Sequence, residues 1–400
     1  MKKYLVALLL ISITFSTENK KIVIKINNFN KSEWWSKFNN NGLNFTKSNI
    51  SLSYKNTFNN FDLLINTHTS KRIALLGESY ISFPISNFNK IKFGRYYRDF
   101  STYLNDDLSS GSMLIGINAL PIPKIGILGE FQIKKNKKFK FTYGIAHSVL
   151  DKNDVYKKPP FIHEKFLYLI KNQNDNEYGF GFVHEAMWAG STYLNGKFPG
   201  SFSDFLKIFI SADGEKIYGQ SHANALGNHL GIWDFYYSKK IQSGFIRFYY
   251  QHFFEDTSGL RFANRFDGLW GFEYRDLFSG FNYLIEYIDT SSQDRDPPYV
   301  NENYYNHHEY TLGWSYKGYV IGNPFIENTS NNPSKVIYSG IRINDLNDYQ
   351  IKILLSKRID INEPLKYSFN FGKAFQNFTA EFYLNGMKSK NLGLRFLYEI

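Results

Sequence analysis

Apolar and polar residues alternate strictly along much of the chain. Between 378 and 385, Phe378, Ala380, Phe382 and Leu384 fall on one side, and Thr379, Glu381, Tyr383 and Asn385 on the other. From 365 to 372, Leu365, Tyr367, Phe369 and Phe371 oppose Lys366, Ser368, Asn370 and Gly372. Ile246, Phe248, Tyr250 and Phe254 oppose Arg247, Gln251 and Glu255, and the last segment sets Leu392, Leu394, Phe396, Tyr398 and Ile400 against Gly393, Arg395 and Glu399. A period of two is that of extended strands whose two faces meet different surroundings. These segments run to about nine to twelve residues, longer than the five or six of an average soluble strand. They match tilted membrane strands, which turn apolar side chains to lipid and end in aromatic girdles. In hydrocarbon every backbone N–H and C=O must be paired within the protein, so such strands have to close on themselves. The pattern therefore predicts an all-β protein: a transmembrane antiparallel β-barrel of the outer membrane with about eighteen strands, at about twenty residues per strand plus loop.

The start of the chain divides differently. Residues 1–16, MKKYLVALLLISITFS, combine two lysines, a short apolar run and small residues before a cut, which predicts a secretory signal peptide. Residues 17–43 are expected to form a periplasmic arm, in which 17–42 could hold a strand plus a helical turn around Trp34 and Trp35, and residues 44–400 the barrel. Within SFSDFLKIFISADG (201–214), Ser201 or Ser203 can cap a short helix near 202–211, with Phe205, Ile208 and Phe209 spaced for one face, and this helix is expected to serve as a plug or periplasmic lid. The uncharged stretch SSGSMLIGINALPIPKIGI (109–127) is read as a spanning strand through Met113–Asn118, a turn at Pro121 and Pro123, and a next strand at Ile125–Phe131.

Composition narrows the chemistry. With no cysteine, no disulfide or lipid-bearing N-terminal cysteine is possible, and the fold rests on burial and backbone pairing. Aromatic residues make up 18% of the chain while the mean hydropathy is −0.38, so it is rich in rings without being apolar overall. The formal charge of +11 points to an acidic partner, and export argues against nucleic acid. The sequence contains no HExxH zinc motif, GxSxG nucleophile motif, phosphate loop or dinucleotide fingerprint. On a strand, the neighbouring His307 and His308 would point to opposite faces. No metal, cofactor or catalytic centre is expected, although an outer-membrane hydrolase with scattered residues stays open.

Rings together with Asp, Asn and Arg suit sugars, because rings stack on C–H faces and planar groups bind hydroxyls and carboxylates. Both kinds crowd 94–107, 251–270 and 289–308. The alternative is that Tyr and Trp belong to the girdles and the charges to solvated loops.

GRYYRDFSTYLNDDLSSGSMLIGINALPIPKIGI (94–127) resembles the capsule assembly proteins of the Wzi type, whose matching region has a GR-led segment and then a strand and turn. His163-Glu164-Lys165, GNHLGIWD (227–234), YYQHFFEDTSG (249–259), DGLWGFEY (267–274) and NYYNHHEYTLGWSYKGYVIGNPF (303–325) add to it in order, over roughly residues 90–325. The resemblance implies an outer-membrane barrel of about eighteen strands that binds capsular polysaccharide and has no catalytic centre. Three departures stand out. The N-terminal arm is too short for a helical bundle, Tyr96 and Tyr97 stand where tryptophans occur in some members, and Ile117 precedes Asn118 where a second Asn is expected.

In such a lectin-like barrel the expected polysaccharide-binding residues are Arg95, Arg98, Asp106, Asp107, Arg261, Asp267 and Trp270. The arginines would meet sugar carboxylates, the acids hydroxyls, and the indole a sugar ring. The expected partners are capsular or surface polysaccharide and outer-membrane lipid, with the chain acting as a monomer. The competing function is a porin in which Arg247, Glu381 and Arg395 line a water-filled lumen.

Overall fold

The computed structural model describes residues 21–29, 34–43, 49–70, 73–133, 137–214, 225–255, 257–293, 303–329, 332–344, 348–386 and 390–399. The expected signal peptide lies outside these residues. Eighteen antiparallel strands form one sheet. In chain order they are β1 (Lys21–Phe29), β2 (Asn49–Phe58), β3 (Phe61–Ser70), β4 (Ile73–Pro84), β5 (Asn89–Arg95), β6 (Pro123–Gln132), β7 (Phe139–Val149), β8 (Phe161–Gln173) and β9 (Asn176–Trp188). There follow β10 (Asn228–Ile241), β11 (Gly244–Phe254), β12 (Gly268–Asp276), β13 (Phe281–Asp289), β14 (Lys335–Asn344), β15 (Tyr349–Arg358), β16 (Lys366–Phe375), β17 (Phe378–Gly386) and β18 (Lys390–Glu399). Each strand pairs with its chain neighbours, and β1 closes on β18 from Val23↔Glu399 to Phe29↔Gly393. Closure leaves no open sheet edge, as lipid demands.

The fold class is as the alternation predicts, with one correction in the strand assignment. Residues 21–29, expected within a periplasmic arm, are a barrel strand. The isoleucines and valine of KIVIKINNF pair with Leu52 and Ser53 on one side and with Tyr398 and Phe396 on the other. The strand itself and the helical turn at Trp34–Lys37 are as expected, and the correction is that the strand sits in the barrel wall.

Connections sort the two ends. One end has short turns, such as 59–60, 174–175, 242–243 and 376–377. The other carries the long connections 96–122, 189–227 and 290–334. Outer-membrane barrels keep short turns on the periplasmic side and long loops outside, which orients the molecule. Outward-facing side chains include Phe93, Leu167, Phe248, Phe382 and Leu394, all exposed to the surroundings of the barrel.

Near the long-loop end the alternation breaks down. Leu230, Ile232, Phe253, Leu269, Leu284, Ile288 and Val336 point inward and are fully or almost fully buried, because the lumen there is packed with protein. That protein is the chain itself. Residues 96–122 fold into the barrel together with residues 303–329, and the short helix α1 (Trp34–Lys37) packs on them, with Trp34 and Phe38 against Phe325. The expected spanning strand at Met113–Asn118 is therefore not a strand. Met113 and Leu114, which would have faced opposite sides, are both fully buried inside the barrel. The small residues of the segment let the loops meet: a Cβ on Gly322 would lie 2.2 Å from the Tyr305 hydroxyl and 2.5 Å from the Met113 carbonyl oxygen. The proline expectation holds better, since Pro123 opens β6 and 125–131 lie within it.

Helix α2 (Phe202–Ile210) forms where the serine and aromatic spacing placed it. Ser201 is its N-cap in a capping box with Asp204, and Ser211 ends it in the left-handed conformation. It is not a plug. Phe205 packs on His147, His163 and Trp188, and Phe209 on His163, so the helix lies against the outer wall of β7–β9.

Candidate functional site

The inner wall holds the plug by polar groups placed at inward positions of the strands. On β10, Asp234 accepts hydrogen bonds from the Ser101 hydroxyl (2.5 Å), the Tyr103 hydroxyl and the Tyr168 hydroxyl (2.5 Å). Gln251 on β11 donates to Ser101 (2.9 Å) and accepts from the Met113 amide (3.0 Å). Glu286 on β13 accepts from the Ser110 amide (2.7 Å) and the Tyr249 hydroxyl (2.5 Å), and Glu273 on β12 accepts from Asn105 (2.9 Å). The two loops also bind each other: Trp314 Nε1 donates to the Leu114 carbonyl (2.8 Å), and the Gly116 amide to the Ile321 carbonyl (2.8 Å). Buried polar groups hold position only when partnered, and a carboxylate with several donors is among the stronger such anchors.

The plug fills the side of the barrel formed by β5–β14. On the opposite side, between the plug and the wall of β1–β3 and β15–β18, a cavity of about 410 Å³ remains. Asparagines and serines dominate its lining: Asn27, Ser51, Ser368, Asn370 and Asn385 from the wall, and Asn39, Asn40, Asn41 and Ser109 from the plug. Trp35, Phe38 and Tyr383 supply rings. Lys25, Lys352 and Arg395 supply positive charge. Three buried groups of this lining, Trp35 Nε1, Asn39 Oδ1 and Asn370 Oδ1, have no hydrogen-bond partner among the described residues. A 410 Å³ space falls within the range of small-molecule sites, and this lining presents the amides, rings and cations that bind polyhydroxylated ligands.

The expected sugar-binding residues separate into three groups. Asp106 and Asp107 line the cavity, but both are ion-paired: Asp106 with Arg98 (2.6 Å), Asp107 with Arg342 (2.8 Å) and Lys352 (2.9 Å). Burial would raise the Asp107 pKa, yet Lys352 and Arg342 outweigh it and hold the carboxyl below its ordinary range. Arg261 is exposed in the loop between β11 and β12.

The other four are placed differently from expectation. Arg98 is buried between Asp106 and the Ile115 carbonyl, and Arg95 donates to the Pro121 carbonyl (3.0 Å) and the Tyr316 hydroxyl (3.1 Å), so both arginines fasten the plug. Asp267 is fully buried, accepting from the Tyr304 hydroxyl (2.8 Å) and the Ser292 amide (2.7 Å). Burial pushes its pKa up to about 6 against those two hydrogen bonds. Trp270 faces outward and stacks on Tyr250 with ring centroids 3.7 Å apart, a girdle position on the outside of the barrel. One cause underlies all four: the sequence marks polar residues near strand ends but not whether the space beyond is water, protein or lipid.

The residues missed are the plug anchors and the asparagine-rich wall. A signal for the anchors was present, in inward carboxylates and amides (Asp234, Gln251, Glu273, Glu286) flanked by inward apolar residues, which a water-filled lumen would not require. The lumen-lining residues of the porin expectation are also occupied. Arg247 pairs with Glu273 (3.2 Å) and donates to the Tyr103 carbonyl, while Arg395 bonds Asn27 (2.6 Å) beside Glu381. His307 and His308 lie in a loop with their rings stacked at 4.6 Å. No group of three or more potential metal ligands occurs among the described residues.

An eighteen-stranded closed barrel, with its own loops folded inside and a polar side cavity left between them and the wall, defines an outer-membrane β-barrel protein. The chain belongs to the capsule assembly protein Wzi family, whose model matches residues 29–332. Among solved structures it is similar to Wzi of Escherichia coli, described as an outer-membrane protein involved in group 1 capsule assembly and a carbohydrate-binding β-barrel. That match has 14% identity and a TM-score of 0.65, covering 99% of this chain and 87% of the other. Mutants of the Rh. blastica porin align over 96% of this chain and 99% of theirs at 7% identity, but with a TM-score of 0.38. No curated protein matches the sequence.

Proposed function

We propose that this protein binds an extended, acidic capsular or surface polysaccharide at the long-loop end of the barrel and helps retain it at the cell surface. The observation that supports this most is the interior itself: residues 96–122 fill the lumen on one side and leave a cavity lined with amides, rings and cations on the other. A filled barrel is suited to holding a chain by many weak contacts rather than passing solutes. The family membership and the carbohydrate-binding relative point the same way. The role needs no catalytic centre and no cofactor, and one barrel closes by itself, so a monomer suffices.

Around the cavity, among the described residues, five cations (Lys25, Arg98, Arg342, Lys352 and Arg395) lie with three carboxylates (Asp106, Asp107 and Glu381). That excess favours uronic-acid or other acidic sugar units. Lys25 would meet sugar carboxylates, as would Lys352 and Arg395 on exchanging their present partners Asp107 and Asn27, while Asn370, Asn385 and Ser368 would meet hydroxyls and Trp35 a ring face, with Arg261 contributing from the outer loop.

The test is retention of polysaccharide from the producing strain on immobilised protein, alongside conductance in planar bilayers. Glycan is retained by the native protein, less by Lys25→Ala, and less as salt rises, with no steady open current. A large steady current without glycan retention would reverse the conclusion in favour of a porin.

A further inference from the structure

Helix α2 is an element that neither the plug nor the cavity uses. It has three stripes. Phe205, Ile208 and Phe209 turn to the barrel, Ile208 buried and the two rings on His147, His163 and Trp188. Ser203, Asp204 and Lys207 form a polar stripe. Phe202, Leu206 and Ile210, spaced every four residues, form a third stripe that is apolar yet 75%, 51% and 71% exposed. Helices at water boundaries normally need one apolar face, and this one has a second with no protein on it among the described residues.

The wall beneath explains the placement. Outward positions of β8–β10 at this level are polar: His163, Lys165, His184 and His229. Lys165 donates to the Phe209 carbonyl at the helix C-terminus, and the Ser211 hydroxyl bonds His184 (2.9 Å). On the periplasmic side of that polar row the wall turns apolar and exposed, at Leu167 and Phe180. The helix thus roofs the polar row at the outer edge of the lipid-facing band, and its bare stripe adjoins that band.

We propose that α2 is an interfacial membrane helix, whose Phe202–Leu206–Ile210 stripe enters the acyl chains of the outer leaflet while Ser203 and Lys207 face water. The proposal rests on the outer-membrane location and not on the polysaccharide role. Continuity with the lipid-facing band identifies the occupant, and the stripes match an amphipathic helix lying in the plane of the interface. The assignment gives the barrel a lateral anchor at the long-loop end, which fixes its depth in the leaflet.

The native chain has no cysteine, so single-cysteine labelling is unambiguous. Leu206→Cys, Ser203→Cys and, as a lipid-facing reference, Leu167→Cys are labelled with an environment-sensitive fluorophore. They are placed in phosphatidylcholine nanodiscs containing an acyl-chain nitroxide quencher, after heat-modified gel mobility has shown a folded barrel. The label at 206 is expected to be quenched by the nitroxide like that at 167 and at least about threefold more than that at 203, with iodide giving the reverse order. Equal iodide quenching at 206 and 203 without nitroxide quenching overturns the proposal in favour of solvent. Shielding of 206 from both quenchers overturns it in favour of a protein cover, either a second copy or the chain's own residues. Either result leaves the polysaccharide proposal untouched.

Discussion

Asp234 anchors the plug most directly, so Asp234→Ala is the sharpest test of how the lumen is filled. The carboxylate accepts from Ser101, Tyr103 and Tyr168 in a fully buried setting. After truncation Ser101 and Tyr168 can turn to each other, their oxygens being 3.3 Å apart, which leaves roughly two donors without a partner. At ~1–3 kcal/mol for each stranded buried group, local closure weakens by ~2–6 kcal/mol. The displaced plug population then rises by a factor of roughly 30 to 10⁴. Hydrogen exchange by mass spectrometry in detergent micelles reads this directly: amides across 99–116 exchange faster by about that factor while the strands of β15–β18 keep their protection. Asp234→Asn, which retains one acceptor oxygen, shows a smaller effect. Unchanged exchange at 99–116, or an equal rise throughout the barrel, would refute the idea that this carboxylate holds the plug.

Asp267 gives a pH prediction. Its folded pKa of about 6 lies above that of an unfolded aspartate, so the stabilisation from its bound proton is fully present below the unfolded pKa and is lost as pH rises through about 6. Residues 303–306 should be better protected near pH 5 than near pH 7.5 once intrinsic exchange is corrected, and Asp267→Asn should flatten that difference. Asp107 behaves in the opposite sense: its folded pKa is lowered, so its ion pairs stabilise the plug above the unfolded carboxylate pKa and are lost as pH falls through the folded value. Asp107→Asn should remove that acid sensitivity in the 103–109 segment. Trp270→Ala should leave polysaccharide retention unchanged and lower unfolding stability in vesicles by the ~0.5–1.5 kcal/mol of a stacked pair plus its share of burial, measured by urea titration. A loss of retention in that variant would restore the indole as a sugar contact.

Several elements were legible in the chain, each for a local reason. Strands β11 and β16–β18 follow from period-two alternation, because a strand between lipid and lumen has two unlike faces at every step. The start, cap and barrel-side face of α2 follow from Ser201, Asp204 and the 205, 208, 209 spacing. A strand and a helical turn were legible before residue 43, but their place was not, because only closure against β18 distinguishes β1 from a strand in an arm. The family resemblance rested on the order of segments around 94–127, and those segments proved to be mainly the plug and the strand positions that hold it.

The sequence by itself determined a closed antiparallel barrel, because lipid imposes a repeating local pattern and a rule that every backbone group be paired within the protein. It could not determine what fills that barrel. Whether a run such as SMLIGIN lies in the wall or in the lumen depends on contacts with residues about two hundred positions away: Trp314 to Leu114, Ile321 to Gly116 and Asn323 to Ser110. The same holds for the site. Arg98, Asp267 and Trp270 have the chemistry of sugar contacts, and only tertiary packing assigned them to an ion pair, a buried hydrogen-bonded carboxyl and the girdle. The cavity beside the plug exists because loops from distant parts of the chain fill one side of the lumen and not the other, a matter of volume that no local pattern records.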